Sequence, residues 1–195
     1  MQQVFQILKM LSESSFRAMK TAKRACSALL IALLVVGCAA YDGRGLLPGS
    51  AGTADVENLM GPPAMRWQAP EGGEVLVYPR GPQGFHTFFF RIDAAGVLVS
   101  KENVLDTRHF AKIQAGMNGE EVLRVLGPPV PQWTAYFPAR DELVWEWRYC
   151  DDWSEPARFD VLFDRTSGRV RSTLSGTEQQ RSALGLSQRR EWCGH

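Results

Sequence analysis

The chain contains an internal repeat, and this repeat constrains the fold more than any other feature of the sequence. The segment 53–63 (Thr-Ala-Asp-Val-Glu-Asn-Leu-Met-Gly-Pro-Pro) returns 66 positions later as 119–129 (Gly-Glu-Glu-Val-Leu-Arg-Val-Leu-Gly-Pro-Pro). A tryptophan follows each copy at the same distance, Trp67 after the first and Trp133 after the second. A repeat of this kind predicts that the chain folds as two copies of one supersecondary unit.

Each copy begins with the pattern of a short amphipathic helix that ends at Gly-Pro. The apolar positions follow the spacing i, i+3, i+4, which gives each helix one buried stripe: Val56, Leu59, Met60 and Val122, Val125, Leu126. We expect Thr53 and Asn118 to cap these helices, with Glu121 completing a capping box. A further short helix is predicted over 107–115, with Phe110 and Ile113 facing the core.

Strand patterns follow each helix, so the two copies predict small antiparallel sheets. The predicted strands are 74–78 and 85–92 in the first copy, and 143–149 and 158–163 in the second. Asp93 to Gly96 and Asp164 to Gly168 have the composition of hairpin turns. The sequence therefore predicts an α+β fold with two tandem modules, 48–104 and 105–175, each made of short helices on a sheet of three or four strands.

The segment 115–129 resembles the signature of the BamE/SmpA/OmlA lipoproteins, in which an approach helix and a Gly-Met pair precede a short helix ended by Gly and Pro. The resemblance covers 105–174 well and 47–104 less closely, where Pro48-Gly49 replaces Gly-Met. It implies a BamE-like, β-lactamase-inhibitor-like fold and a non-catalytic role in outer-membrane β-barrel assembly or envelope integrity. Two copies depart from the single-domain assembly factor, so the fold transfers more directly than the partner.

The N-terminal region has the pattern of an export signal. Basic residues precede an apolar run from Ala25 to Val36: Lys20, Lys23, Arg24. The run is too short for a membrane span, which needs about 18 apolar residues, and it fits a secretory signal. We therefore predict that 1–37 is a signal peptide. Its pattern is already complete from Met19 onward, so Met19 is the expected initiator and the signal would then begin there.

The tetrapeptide Val35-Val36-Gly37-Cys38 resembles the lipobox of bacterial lipoproteins. This resemblance implies a covalent lipid on the Cys38 sulfur and cleavage before that residue, with 38–47 as a lipidated tether. The same resemblance implies a location on the periplasmic face of the outer membrane, because Ala39 stands where an enteric lipoprotein retained in the inner membrane would carry Asp. The alternative is an ordinary signal peptide cleaved after Ala39 or Ala40.

Net charge and cysteine content bear on two questions, namely whether the protein binds nucleic acid and whether it contains a disulfide. Residues 38–195 contain 17 Lys and Arg against 20 Asp and Glu, a formal charge of −3, which disfavours nucleic-acid binding. Beyond Cys38, this part of the chain has two cysteines, Cys150 and Cys193, which either form a disulfide in an oxidising periplasm or remain as free thiols. The segment 176–195 is expected to be a mobile tail unless Cys193 is bonded.

The sequence lacks the spacing of a catalytic or metal site. Three histidines are present, namely His86, His109 and His195, and neither H-x-x-x-H nor C-x-x-C occurs. We expect His109 on a helix surface and Cys150-Asp151-Asp152 in a loop between strands. The predictions are accordingly no enzymatic activity, no metal, and no cofactor apart from the lipid on Cys38.

Tryptophans are the residues most suggestive of an interaction surface. Trp67 and Trp133 are expected to be equivalent core residues. For Trp145, Trp147 and Trp153 the sequence leaves core and interface roles open. The function expected from all of these features is a membrane-anchored scaffold with an envelope protein partner, such as the β-barrel assembly machinery. The alternative is an inhibitor or ligand-binding module that clamps an envelope enzyme or polymer.

Overall fold

The computed structural model describes residues 41–181 together with Cys193. The chain divides into two compact units, Met1–Ala39 and Ala40–His195, and the described residues all belong to the second. The predicted signal peptide and Cys38 lie outside the described residues. Within the part that the structure describes, no helix is both long and apolar enough to cross a membrane.

Residues of the first repeat form one helix followed by four strands. These elements are α1 (Thr53–Met60), β1 (Met65–Gln68), β2 (Glu74–Pro79), β3 (Thr87–Ile92) and β4 (Leu98–Asn103). The second repeat adds a short helix in front and another behind. Its elements are α2 (Thr107–Phe110), α3 (Gly119–Leu126), β5 (Ala135–Phe137), β6 (Glu142–Cys150), β7 (Pro156–Asp164), β8 (Arg169–Thr177) and α4 (Glu178–Arg181), with 3-10 turns at Pro131–Trp133 and Pro138–Arg140.

Each repeat forms its own antiparallel sheet, with the strands paired in chain order. The first sheet has the order β1-β2-β3-β4 and the second has the order β5-β6-β7-β8. The fold is therefore α+β with two four-stranded antiparallel sheets and few helices. Hairpin connections explain this order, because antiparallel neighbours can be joined by short turns.

In both repeats, the same backbone hydrogen bond joins the segment before the main helix to the last strand. In the first, the Leu98 N–H donates to the carbonyl oxygen of Ala51 at 2.8 Å. In the second, the Val170 N–H donates to the carbonyl oxygen of Met117 at 2.8 Å. The segment before each main helix is thus bonded to the start of the last strand, so the sequence repeat is also a repeat of backbone geometry.

The N-terminal ends of the main helices differ in one respect from the prediction. Gly52, and not Thr53, occupies the cap position of α1, where its N–H donates to the Asp55 carboxylate at 2.8 Å. Asn118 caps α3 as expected: its side chain accepts from the Glu121 N–H at 2.9 Å, and the Glu121 carboxylate accepts from the Asn118 N–H at 2.6 Å. The cap of α1 shifts because an acidic side chain in the first turn can satisfy the backbone of a glycine.

The helix predicted over 107–115 is shorter in the structure. It ends at Phe110, and the following residues turn until the Gly116 N–H donates to the carbonyl oxygen of Val170 at 2.8 Å. Phe110 and Ile113 are buried, with exposed fractions of 8% and 7%. The chain leaves the helix early because this segment pairs with β8.

Two hydrophobic clusters show that the two repeats share a core. One face of the first sheet packs on α1: Val56, Met60, Leu76, Tyr78, Phe88, Phe90, Ile92. The opposite face joins α3 and the second sheet in one larger cluster: Val75, Val77, Phe89, Val122, Leu126, Trp147, Phe159, Val161, Phe163. Helix α3 therefore lies between the two sheets, and burial of its two sides depends on both repeats.

The tether predicted over 38–47 needs correction for residues 41–47. Leu46 is buried in the same cluster as α1, and Gly43 lies against Phe90. The Tyr41 hydroxyl lies 2.8 Å from His86 Nδ1. This segment is packed on the first sheet because Leu46 fills an apolar site there, which no local pattern in the sequence indicates.

The segment 176–195 is predicted to be mobile only if Cys193 is not bonded, and the structure has Cys193 in a disulfide with Cys150. Strand β8 continues through Thr177, and α4 follows directly. Cys193 is buried, with 1% of its surface exposed. The described residues 176–181 contact β7, which their polar sequence does not reveal.

Candidate protein-interaction site

The tip of the β6–β7 hairpin presents the most exposed large hydrophobic side chain of the described residues. We call residues 150–155 the Trp153 loop. Trp153 is 82% exposed, although an indole of this size usually finds cover in a folded protein. The loop lies where Cys150 pairs with Pro156, so it connects two long central strands directly.

Hydrogen bonds to Asp151 fix the conformation of the Trp153 loop. The Asp151 carboxylate accepts from the N–H groups of Trp153 and Glu155 at 2.9 and 2.8 Å. The Asp151 N–H donates to the carbonyl oxygen of Glu155 at 3.0 Å, and Ser154 adopts a left-handed backbone with φ 59°. An aspartate that bonds the backbone two residues ahead is typical of a tight turn. The indole therefore projects from a defined turn.

A disulfide holds the base of the Trp153 loop. Cys150 is bonded to Cys193, with a Cα–Cα distance of 5.6 Å, and the Cys193 N–H donates to the carbonyl oxygen of Ser154 at 3.3 Å. Of the two states that the sequence left open for these cysteines, the structure has the disulfide. The bond joins residues 43 positions apart, so Cys193 contacts the hairpin tip although it is distant in the chain.

The other two tryptophans of the predicted interface belong to the protein interior. Trp147 is 1% exposed and its indole N–H donates to the carbonyl oxygen of Gly127 at 3.3 Å. Trp145 is partly buried, with its ring centroid 4.7 Å from that of Phe163. Of the core and interface roles that the sequence left open, Trp147 therefore has the core role, because its face of the strand packs with α3 in the shared core.

Trp67 and Trp133 are not the equivalent core residues that the repeat predicts. Trp67 lies in β1, and its ring packs edge-on against Phe89 at a centroid distance of 5.3 Å. Trp133 lies in a 3-10 turn, where the Arg158 guanidinium carbon stands 3.6 Å from its ring centroid. Both are partly buried. Their roles differ because the chain before β5 turns where the chain before β2 runs as a strand.

A network of charged side chains covers the outer face of the second sheet, on β6, β7 and α4. We call it the outer ion network; its members are Glu146, Arg148, Arg158, Asp160, Glu178 and Arg181. Arg148 donates to both oxygens of Glu178, at 2.7 and 2.8 Å, and Arg158 donates to the same carboxylate at 2.8 Å. Arg181 contacts Asp160 at 2.8 Å. These ion pairs bind α4 to β6 and β7 near the base of the hairpin.

The pKa values of two carboxyl groups reflect this network. Burial by itself would raise the pKa of Glu178, but hydrogen bonds from Arg148 and Arg158 lower it below its ordinary value. Burial raises the pKa of Glu146, which lies against Arg158 and Arg181. The network is therefore charged near neutral pH at Glu178, where two arginines converge on one carboxylate.

The residues beside Trp153 in the loop are acidic. Asp151, Asp152 and Glu155 flank it, and the loop contains no Lys or Arg. Within the described part of the chain, Asp152 and Glu155 have no ion pair. The arrangement offers one apolar ring with carboxylates beside it, which is suited to contact with another molecule.

Of the three histidines, His86 and His109 lie in the described residues. His109 is buried, which corrects the expectation of a surface residue, and its Nδ1 lies 2.8 Å from the Asp106 carboxylate. Burial would raise the pKa of Asp106, but hydrogen bonds from Arg108 and His109 lower it to about 2. Among residues 41–181 and Cys193, no group of three or more potential ligands is placed to hold a metal ion.

Comparison of the chain with protein-family models, with curated proteins and with solved structures finds no match. The interpretation of the Trp153 loop therefore depends on its own geometry and on the sequence motifs. Cys38, the predicted lipidation site, lies outside the described residues.

Proposed function

We propose that this protein is a non-catalytic scaffold, anchored by a lipid on Cys38 to the periplasmic face of the outer membrane, that binds an envelope protein through the Trp153 loop. The observation that carries the proposal is an indole 82% exposed on a turn fixed by Asp151 and by the Cys150–Cys193 disulfide. Tryptophan is enriched among residues that dominate binding energy. A loop that is already rigid loses little conformational entropy when it binds.

The lipobox-like sequence and the resemblance to BamE/SmpA/OmlA lipoproteins support the location and the class of partner. Two sheets, each with a helix against one face, are compatible with two BamE-like modules. The β-barrel assembly machinery is the partner to test first. Asp152 and Glu155 beside the indole favour a partner surface with an apolar pocket bordered by Lys or Arg, because complementary charge guides association and fixes orientation.

The test is crosslinking in cells and pull-down of the full-length protein, followed by mass spectrometry, with wild type compared to Trp153→Ala. We expect the amount of partner recovered with the variant to be at least about tenfold lower than with wild type, since a central binding residue contributes about 2 kcal/mol or more to the binding free energy. Leu174→Ala is the matched control: Leu174 is 56% exposed on β8, outside the Trp153 loop, and its removal should leave recovery unchanged. Cys38→Ala should abolish membrane association and reduce recovery.

A folding control separates lost binding from lost structure. Trp153→Ala should leave the melting temperature within about 2 °C of wild type, because an exposed side chain contributes little to stability. A large decrease would place Trp153 in the core and contradict the proposed site. Recovery of a hydrolase that the protein inhibits in a Trp153-dependent manner would favour the inhibitor function over the scaffold. Equal recovery of every partner by both proteins would overturn the interaction role of the loop.

A further inference from the structure

The segment 41–47, which we call the collar, is fixed to the first sheet. The Tyr41 carbonyl oxygen accepts from Arg80 Nε at 2.6 Å, and the Tyr41 hydroxyl accepts from the Phe85 N–H at 3.3 Å. At the other end, the Leu46 N–H donates to the Gly43 carbonyl oxygen at 3.1 Å, and the Leu46 side chain is 9% exposed. The collar therefore moves with the sheet and cannot act as a flexible linker.

Very little chain separates the collar from the proposed anchor. Tyr41 follows Cys38 by three residues. An extended chain spans at most about 3.6 Å per residue, so Tyr41 lies within roughly 11 Å of Cys38 however the intervening residues are arranged. A lipid on the Cys38 sulfur would place that residue at the level of the headgroups, and the headgroup region of one leaflet is itself about 5–8 Å thick. The collar would then be next to the bilayer.

The outward side chains of the collar are of types that suit a membrane interface. Tyr41 is 47% exposed, the Arg44 side chain 89% and Leu47 66%. A tyrosine ring has one apolar and one polar end, arginine extends its charged group towards water or phosphate, and leucine contributes apolar area. These exposures are large for a segment whose backbone and Leu46 are held against the protein.

We infer that the collar lies against the bilayer in which the chain is anchored and so holds the folded unit in one orientation on the membrane. This inference rests on the proposed lipidation of Cys38. The contact depends on the short connection and on Tyr41 and Leu47, with little contribution from net charge. A groove of about 930 Å³ beside the collar carries three basic and three acidic residues, namely Arg44, Lys101, Arg108, Asp42, Glu102 and Asp106. The formal charges of these six residues sum to zero, so the groove adds no net charge to the contact.

The experiment measures the depth of Leu47 on vesicles. The full-length gene carrying Leu47→Cys is expressed, and the processed protein is purified from membranes and labelled with an environment-sensitive fluorophore. Cys38 would carry lipid and Cys150 is bonded to Cys193, so the introduced thiol is the one that reacts. The protein is then placed in phosphatidylcholine vesicles containing lipid with a quencher near the headgroup. The same label at Leu174→Cys, 56% exposed in the wild type, serves as the control.

We expect the quencher to reduce fluorescence at position 47 at least about twofold and to leave position 174 nearly unchanged. Salt at 0.5 M, where the Debye length is about 4 Å, should not alter the result. Intact mass measured on the same preparation reports whether Cys38 carries a lipid. With the lipid present, absent quenching at position 47, or equal quenching at both positions, overturns the fixed orientation while the proposed anchor stands. A mass without lipid overturns the anchor and this inference together.

Discussion

At the scale of single residues, identical motifs in the two repeats have different surroundings. Gly61 and Gly127 end α1 and α3 with nearly the same backbone, φ 80° and ψ −173° against φ 72° and ψ −171°. This region is accessible essentially to glycine alone. A Cβ on Gly61 would meet no atom within 4 Å, whereas a Cβ on Gly127 would lie 2.8 Å from Thr87 and 3.0 Å from Val77. The difference arises because α3 packs against the first sheet as well as its own.

Gly61→Ala and Gly127→Ala therefore form a matched pair. Both should lose about 1–3 kcal/mol of unfolding free energy because alanine is strained in this backbone region. Gly127→Ala should lose roughly 1–3 kcal/mol more, since its methyl group has to displace side chains of the first sheet. Urea denaturation at neutral pH measures both values. Equal losses would contradict the close packing of α3 on the first sheet.

At the scale of elements, α4 is a helix of four residues that stays in place through ion pairs. Its first residue, Glu178, binds Arg148 and Arg158, and its last, Arg181, binds Asp160. A helix this short has little stability of its own. Its position therefore depends on charge, and the charge of Glu178 depends on pH.

Glu178→Gln should lower the unfolding free energy at pH 7 by about 1–2 kcal/mol, between the values for an exposed ion pair and a buried charged hydrogen bond. The pKa of Glu178 is lower in the folded protein than its ordinary 4.5. Its contribution is therefore complete above pH 4.5 and is lost as the pH falls through the folded value. The difference in stability between wild type and variant should shrink over that acidic range.

Thermal unfolding followed from pH 7 to pH 3 measures this difference. Glu120→Gln is the control: Glu120 pairs with Arg124 at 2.7 Å, but its side chain is 73% exposed. Its effect should stay within about 0.5 kcal/mol. A difference between wild type and Glu178→Gln that is constant or grows in acid would show that the ion pairs of Glu178 do not hold α4.

At the scale of the whole molecule, the two repeats are one folding unit. Helix α3 contributes Val122 and Leu126 to a core that also contains Val75, Val77 and Phe89 of the first sheet. Neither sheet can be removed without uncovering this helix. The two tandem modules predicted from the sequence are therefore repeats of structure that share one core.

We expect residues 40–195 to unfold in a single transition, with calorimetric and van't Hoff enthalpies that agree. Separate fragments 40–104 and 105–195 should lack dispersed amide resonances, because each would expose a large part of the shared core. Calorimetry of the whole protein and NMR spectra of the fragments test the two parts of this prediction. Two well-separated transitions, or a folded fragment, would contradict the shared core.

Local patterns in the sequence determined the coarse fold and several details of it. Apolar spacing located the two main helices, and a capping box located the start of α3 at Asn118. Strand patterns at 143–149 and 158–163 located β6 and β7, which the structure has at Glu142–Cys150 and Pro156–Asp164. These features follow from the periods of helices and strands and from short-range hydrogen bonds, so neighbouring residues are sufficient to predict them.

The tertiary structure alone decided which surface covers each apolar face. Trp147 and Trp153 are the same residue type six positions apart, yet α3 covers the first and nothing in the described residues covers the second. His109 is buried beside Asp106, and Leu46 fills a site on the first sheet. The sequence predicts a helix surface for His109 and a tether for the segment that contains Leu46. Burial depends on contacts between residues distant in the chain. A sequence period gives the direction of a side chain but does not identify what it will meet.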